Sequence, residues 1–261
     1  TVYMSGFTPT NQLGGRDCSR FGFNTVHNSR LAVDALAEVM PSYLPESERT
    51  FAQVYPESDF GEELLANVED RLSAQTRFRE NRAFATQVGA GSYADTLEDV
   101  LATQVSVIVL NFTGLNGAIA LRDLAELAAE RGREDIYAVV PLMTRELLRN
   151  AGGALTINGN NVLGTVPWTP NFDDAFSTRF VESWDAASVS ADLNVAEVPS
   201  ALSYLAYVQL YQYAGAVERA GNTNAEDVIA ELEDQEFSIG PGTTTMRACD
   251  HQAMGPVPVV E

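Results

Sequence analysis

Lysine is absent from this sequence: every basic side chain among its 261 residues is an arginine. The 16 arginines stand against 36 aspartates and glutamates, for a formal net charge of −20. A field of that sign repels phosphate backbones, which argues against a nucleic-acid partner. It equally argues against docking on anionic lipid through a basic patch. Nowhere do about 18 apolar residues run together, so no segment reads as a membrane span. No secretory leader is recognisable, and the chain opens on "TVYMSG" rather than on Met, as if cut from within a domain. Histidine is scarce too: His27 and His251 are the whole supply, and no spacing around them suggests a metal site, so none is expected.

The two cysteines, Cys18 and Cys249, lie near opposite ends. They are either two unlinked thiols or a disulfide joining the first segment to the tail, the latter permissible outside the cell. Spacing alone does not choose.

What is present is a core-forming composition, with 45% hydrophobic residues, enough for one large domain or two smaller ones. The acidic excess is spread over every helix-like segment. With no lysine, it reads either as an ordinary acidic protein or as adaptation to high salt, where screening relieves self-repulsion.

Short apolar runs rich in Val and Ile alternate with segments of helical period. Strands are predicted at 1–5, 50–55, 105–112, 136–140 and 161–166, with a possible short one before "GAGSYA" (89–94). Helices are predicted over 60–74, 93–103 and 114–131, and a short one after Thr144 as N-cap. On 114–131, Ala118, Leu121, Leu124, Ala125 and Ala128 should face inward. Ser92 with Asp95 resembles a capping box. This order implies an α/β fold with parallel sheets flanked by helices. After "PWTP" (167–170) the pattern becomes helical, at about 172–186, 200–220 and 225–234. A tail of turns and short strands follows. The tyrosines 204, 207, 211 and 213 on the long helix read as packing rather than as a cofactor site.

In open parallel sheets ligands bind beyond the carboxyl ends of the strands. Three loops occupy that position: "SGFTPT" (5–10), "PESDFG" (56–61) and "NFTGLNG" (111–117). They offer Thr8, Thr10, Ser58, Asn111 and Thr113 as hydrogen-bonding groups, beside Phe7 and Phe60. That mixture suits a small polar molecule with an apolar part. The acids of "PESDFGEELL" look like chemistry but have a local explanation. Asp59 is predicted to cap the following helix, Glu62 to close a capping box, and Glu63 to face the helix dipole and solvent.

Enzyme readings find little support. There is no G-x-S-x-G elbow and no P-loop. "GAGSYA" matches G-x-G-x-x-A, but the acid expected about 20 residues later to hold a ribose is absent. No cofactor is expected.

The order of pieces carries a resemblance. "YMSGFTPTNQL", "FGFNT", "YPESDFGEELLANVEDRL", "GAGSYADTLEDVLATQVSVIVLNFTG", "LLRNAGG", "VLGTVPW", "YLAYVQLYQYAGAVERAG" and "MRACDHQ" follow one another over nearly the whole chain. In that order they resemble the substrate-binding proteins of ABC transporters in the leucine/isoleucine/valine-binding branch. The resemblance implies the two-lobed type I periplasmic-binding-protein fold, with a substantial N-terminal part of the first lobe missing. It places 1–28 and 171–245 in the first lobe, and 29–170 and 246–261 in the second. A solute would be trapped in a cleft by closure on a hinge, outside the cell, and the closed form presented to a membrane permease. No covalent chemistry is implied. The resemblance assigns ligand contacts to Phe7, Thr8, Thr10, Phe60 and Thr113. Relatives that bind amino acids place an acid after the next strand, whereas "VVPLMT" (139–144) has none, which leaves amides and organic acids open beside a branched-chain amino acid. The alternative roles are a sensory ligand-binding domain of the same fold and, further off, a dinucleotide-dependent enzyme.

The charge pattern gives a direct test. If the acidic excess is a salt adaptation, unfolding monitored by circular dichroism should show the chain losing stability as salt is withdrawn; full stability in low salt contradicts it.

Overall fold

The structure is a computed structural model that describes residues 1–46, 50–74, 78–152, 156–157, 159–190, 198–239 and 242–261. The chain divides into two compact units, one of Thr1–Asn28 with Pro167–Pro258, the other of Ser29–Val166 with Val259–Glu261. It starts in the first unit with β1 (Tyr3–Ser5) and β2 (Gly22–Asn24), separated by a 3-10 turn at Asn11–Gly14. The second unit then contributes α1 (Ser29–Tyr43), β3 (Thr50–Pro56), α2 (Asp59–Ser73), β4 (Arg79–Thr86) and α3 (Ala94–Ala102). It continues with β5 (Val107–Leu110), α4 (Gly114–Glu130), β6 (Tyr137–Val140), α5 (Arg145–Asn150), the small hairpin β7 (Thr156–Ile157) and β8 (Asn160–Asn161), and β9 (Leu163–Thr165). Back in the first unit come α6 (Ala175–Ser190), α7 (Ala201–Ala220), α8 (Ala225–Leu232), β10 (Glu236–Ile239), β11 (Gly242–Met246) and β12 (Ala253–Met254). The closing strand, β13 (Val259–Val260), belongs to the second unit.

The second unit is built on a sheet of order β13-β9-β6-β5-β3-β4, parallel except where β13 runs against β9. Its central strands are buried on both faces, which is why "VIVL" and "YAVV" read as unbroken apolar runs. Phe51, Val107, Val109 and Val139 point to one face and pack with Leu36 and Met40 of α1 and with Leu64, Val68 and Leu72 of α2. By strand alternation Ala52, Val54, Ile108 and Leu110, all buried, face the other side.

The helix α1 and the strand β2 add to the sequence reading, and the possible short strand before "GAGSYA" is present as β4. The helix α1 buries Ala32, Val33, Leu36, Ala37 and Met40 along one stripe. The strand β4 is an edge strand with Arg79, Glu80 and Arg82 on it, so it lacks the apolar run that marks its neighbours. On α4, Ala118, Leu121, Leu124 and Ala128 are buried, whereas Ala125 is half-exposed and Leu127 takes an inward place instead.

In the first unit β1 and β2 pair in parallel, in register Tyr3↔Gly22. Phe23 packs with Ala216 of α7, with Val228, Ile229 and Leu232 of α8, and with Met246. A second cluster joins Trp168, Phe180, Tyr204, Leu205 and Val208. Trp168 stacks on Tyr204 at 4.6 Å, and the Trp168 indole N–H donates to Ser177 Oγ at 2.9 Å. Tyr204, Tyr207 and Tyr213 therefore serve packing, while Tyr211 is half-exposed and lies 4.7 Å from the Tyr207 ring.

The tail differs from expectation. Residues 246–258 lie with the first unit, because Met246 pairs with Ala253 in an antiparallel ladder and Asn24 bridges to Gln252; only 259–261 lie with the second. His251 locks this arrangement, stacked on Phe23 at 4.0 Å with its ring nitrogens 3.0 Å from Gly22 O and from a Glu233 carboxylate oxygen. Gly240 and Pro241 of the predicted tail lie outside the described residues. Cys18 and Cys249 are both free and exposed, so the disulfide alternative is not realised here; each sits on a polar surface turn that the fold holds by backbone hydrogen bonds.

At the amino-terminal ends of β5 and β6, Arg133 donates to both Asp135 carboxylate oxygens, at 2.6 and 2.8 Å, and to the Leu101 and Val105 carbonyls. The Arg133 guanidinium, helped by the Ser106 hydroxyl, lowers the Asp135 carboxyl to about 2. A carboxyl held below its unfolded value stabilises the fold above that value and stops doing so as pH falls through the folded one. Asp135→Asn should therefore be less stable than wild type at neutral pH, with the gap closing between about pH 4 and pH 2 in acid titrations of unfolding.

Candidate functional site

Numbered along the chain, the parallel strands β3, β4, β5, β6 and β9 lie in the spatial order second, first, third, fourth, fifth. The order reverses between β3 and β5. At such a reversal the flanking loops leave to opposite faces, the arrangement that in open parallel sheets makes room for a ligand beyond the carboxyl ends of the strands. Phe60 lies in the first turn of α2, directly after the loop that leaves β3, and the loop after β5 carries Thr113. The second unit thus sets these two residues at the same end of adjacent strands.

The loop after β3 is tightly built. Ser58, not Asp59, is the N-cap of α2: its hydroxyl accepts from Gly61 N at 3.1 Å, and its backbone is extended. Asp59 and Glu62 lie within the exposed first turn, where the helix dipole favours them. Glu63 is half-buried and accepts from Ser29 Oγ, which in turn accepts from Asn67 Nδ2 at 3.0 Å. The cap is displaced by one residue because the helix begins at Asp59, and the expected capping box does not form, since its third position is then Gly61. Gly61 is required by close approach: a Cβ there would lie 2.1 Å from Pro56 O. Phe60 is half-buried and packs on the core beneath α1 and α2.

Thr113 precedes α4 with extended backbone, and its side chain makes no capping bond. Asn111, immediately after β5, is fully buried and donates from Nδ2 to Gln53 Oε1 at 2.7 Å. Gln53, fully buried in mid-β3, donates to Glu80 Oε1 at 2.8 Å and to Leu65 O at 3.4 Å. Burial pushes the Glu80 carboxyl up, and the Gln53 bond opposes the shift. Sequence reasoning passed over Gln53 and Glu80, although a glutamine inside the apolar run "TFAQVYP" is a visible signal of an internal polar contact.

The remaining candidates sit in the first unit, in the loop after β1. Phe7 and Thr8 are exposed. The Thr8 carbonyl accepts from Asn24 Nδ2 at 3.5 Å, and Thr10 Oγ1 caps the 3-10 turn by accepting from Gln12 N at 3.2 Å. Over this loop lies Gln209, which donates to Thr25 Oγ1 and occupies the space a Cβ at Gly6 would need. A cavity of about 60 Å³ in the same unit, lined by Thr25, His27, Pro167 and Tyr204 among others, is smaller than an amino acid. Burial lowers the His27 imidazole to about 4, so it is neutral at physiological pH.

The G-x-G-x-x-A stretch is filled from within. The Asp123 carboxylate accepts from Ser92 Oγ at 2.8 Å and from Tyr93 N at 2.7 Å, occupying the start of α3 where a phosphate would bind. Ser92 therefore braces α3 against α4, and Tyr93 stands as the N-cap without a side-chain capping bond, in place of the expected Ser92–Asp95 box. Among the described residues no group of three or more His, Cys, Asp or Glu could hold a metal ion. No described helix is long and apolar enough to cross a membrane.

Residues 1–261 match the family model described as periplasmic binding protein. The chain belongs to the periplasmic binding protein family. Solved structures of similar fold include the amino acid ABC transporter substrate-binding protein of Pseudomonas fluorescens Pf-5, at 17% identity and a TM-score of 0.85 over 99% of this chain. Also similar are the leucine-, isoleucine-, valine-, threonine- and alanine-binding protein of Brucella ovis (16%, 0.79, 99%) and the solute-binding protein of an R. palustris ABC transporter in complex with benzoate (12%, 0.78, 98%). This chain spans 65%, 63% and 66% of their respective lengths. No curated protein matches the sequence. The family's α/β fold, with helices flanking a largely parallel sheet, is the one described above.

The cap assignment is open to measurement. Ser58→Ala should cost about 1 kcal/mol in urea unfolding, whereas Asp59→Ala, which removes no capping acceptor, should cost a few tenths.

Proposed function

We propose that this chain is the solute-binding receptor of an ABC uptake transporter, taking a branched-chain amino acid or a related small amide or carboxylate. The observation that carries the reading is the strand-order reversal at β3 and β5, flanked by Phe60 and Thr113, in a member of the periplasmic binding protein family. Names of structural neighbours support the solute class: amino acids for the P. fluorescens and B. ovis proteins, benzoate for the R. palustris protein. Both kinds of molecule combine a carboxylate with an apolar body, as the loops here combine hydroxyls with aromatic rings.

In this role Phe60 packs against the apolar part of the solute and Thr113 hydrogen-bonds its polar part. Phe7, Thr8 and Thr10 are the contacts supplied by the first unit. The partner is a membrane permease, and the location is extracellular or at the cell surface. No bond is made or broken; the free energy available is that of burial and hydrogen bonding.

Calorimetry in high salt with leucine, short amides and benzoate tests the reading; no binding in any class contradicts it. Phe60→Ala should weaken whichever solute binds by roughly tenfold to a hundredfold, the worth of one buried aromatic contact, with the circular dichroism spectrum unchanged.

A further inference from the structure

The buried polar chain at the strand reversal has a direction. Glu80 when ionised and the Leu65 carbonyl can only accept, so the Gln53 amide must turn its NH₂ toward them. Its Oε1 then faces Asn111, and Asn111 must turn its own NH₂ toward Gln53. What remains at the end of the chain is Asn111 Oδ1, an acceptor. It is buried, and among the described residues no donor reaches it. A buried amide oxygen without a partner is uncommon and calls for an explanation.

Asn111 opens the loop that carries Thr113, on the strand next to the one that leads to Phe60, at the end of the sheet where open parallel sheets bind ligands. The next loop, "PLMT" after β6, brings no acid that could serve as acceptor in its place.

We propose that Asn111 is a specificity-determining residue whose Oδ1 accepts a hydrogen bond from an N–H or O–H group of the bound solute. The inference rests on the solute-receptor reading and adds to it the class of solute: one that carries a donor as well as its carboxylate or amide carbonyl. The atom is closed to water in this structure, so the bond forms as the loops after β3 and β5 rearrange around the solute. Glu80 and Gln53 act at a distance, as positioning residues that hold the asparagine amide in its acceptor orientation.

Matched solute pairs test this by calorimetry. Leucine and 4-methyl-2-oxopentanoate share a skeleton, but only leucine brings an ammonium donor. Likewise 4-hydroxybenzoate adds a hydroxyl donor to benzoate. Wild type should bind the donor-bearing member of at least one pair about tenfold more tightly. Asn111→Leu, of similar volume and without an acceptor, should bring that ratio close to one. Glu80→Lys replaces the main acceptor with a donor, leaves the Leu65 carbonyl alone to hold the Gln53 amide, and should reduce the preference. Glu80 is half-buried on an edge strand, so this variant keeps the test available if Asn111→Leu fails to fold. Binding with equal affinity for both members of each pair, or a preference that survives both substitutions, overturns the inference alone. Binding of none of the four solutes overturns the inference, and failure of the short amides as well overturns the receptor reading with it.

Discussion

The hydrogen bond from Asn111 to Gln53 joins β5 to β3 where the strand order reverses, and the architecture of the site depends on that reversal. Parallel strands need crossover helices, and a sheet covered on both faces needs some of its crossovers on each side. Where the direction of winding changes, the two neighbouring loops part and leave a crevice. The apolar pairs Phe51↔Val107 and Ala52↔Ile108 hold β3 and β5 together below it. The polar pair closes their upper end without obstructing the crevice. An apolar pair in that place would hold the strands equally well but offer nothing to a polar ligand.

The order of elements was legible because the sheet is buried on both faces. Strands β3, β5 and β6 read as apolar runs bounded by loops, and helices α2, α4 and α7 as stripes of helical period. What stayed hidden was hidden for local reasons. The edge strand β4 showed only as a possible short strand, because its charges mask the pattern. The capping residue of α2 was displaced by one because Asp59, a good cap in isolation, competes with Ser58 next to it. The chain resolves the choice by the close approach of Gly61 to Pro56 O, which fixes where the helix can start. For the tail, sequence order gave no guide, since Gln252 and His251 find their partners, Asn24 and Gly22, more than two hundred residues away.

The candidate site was legible to the level of loops. Phe60 and Thr113 could be placed because they follow strands. The polar chain behind them could not, since a hydrogen bond between Asn111 and Gln53 requires the strand register. Only the isolated glutamine within an apolar strand announced it. Carboxylates outside the site serve the fold: Asp123, Asp135, Glu63 and Glu233 are each bound to a backbone amide, a hydroxyl, an arginine or a histidine.

That division bears on selectivity. In a chain of net charge −20, an ionised acceptor at the crevice would add to a field that already opposes carboxylate-bearing solutes. An amide oxygen reads a donor by hydrogen bonding without adding charge, and the amide itself is oriented by a carboxylate two residues removed along the hydrogen-bond chain. On the proposed reading, the charge that sets the polarity of the chain is kept on the far strand, at β4, while the amide oxygen offered to the solute stays neutral. A site built this way can distinguish solutes by their donors and still admit an anion.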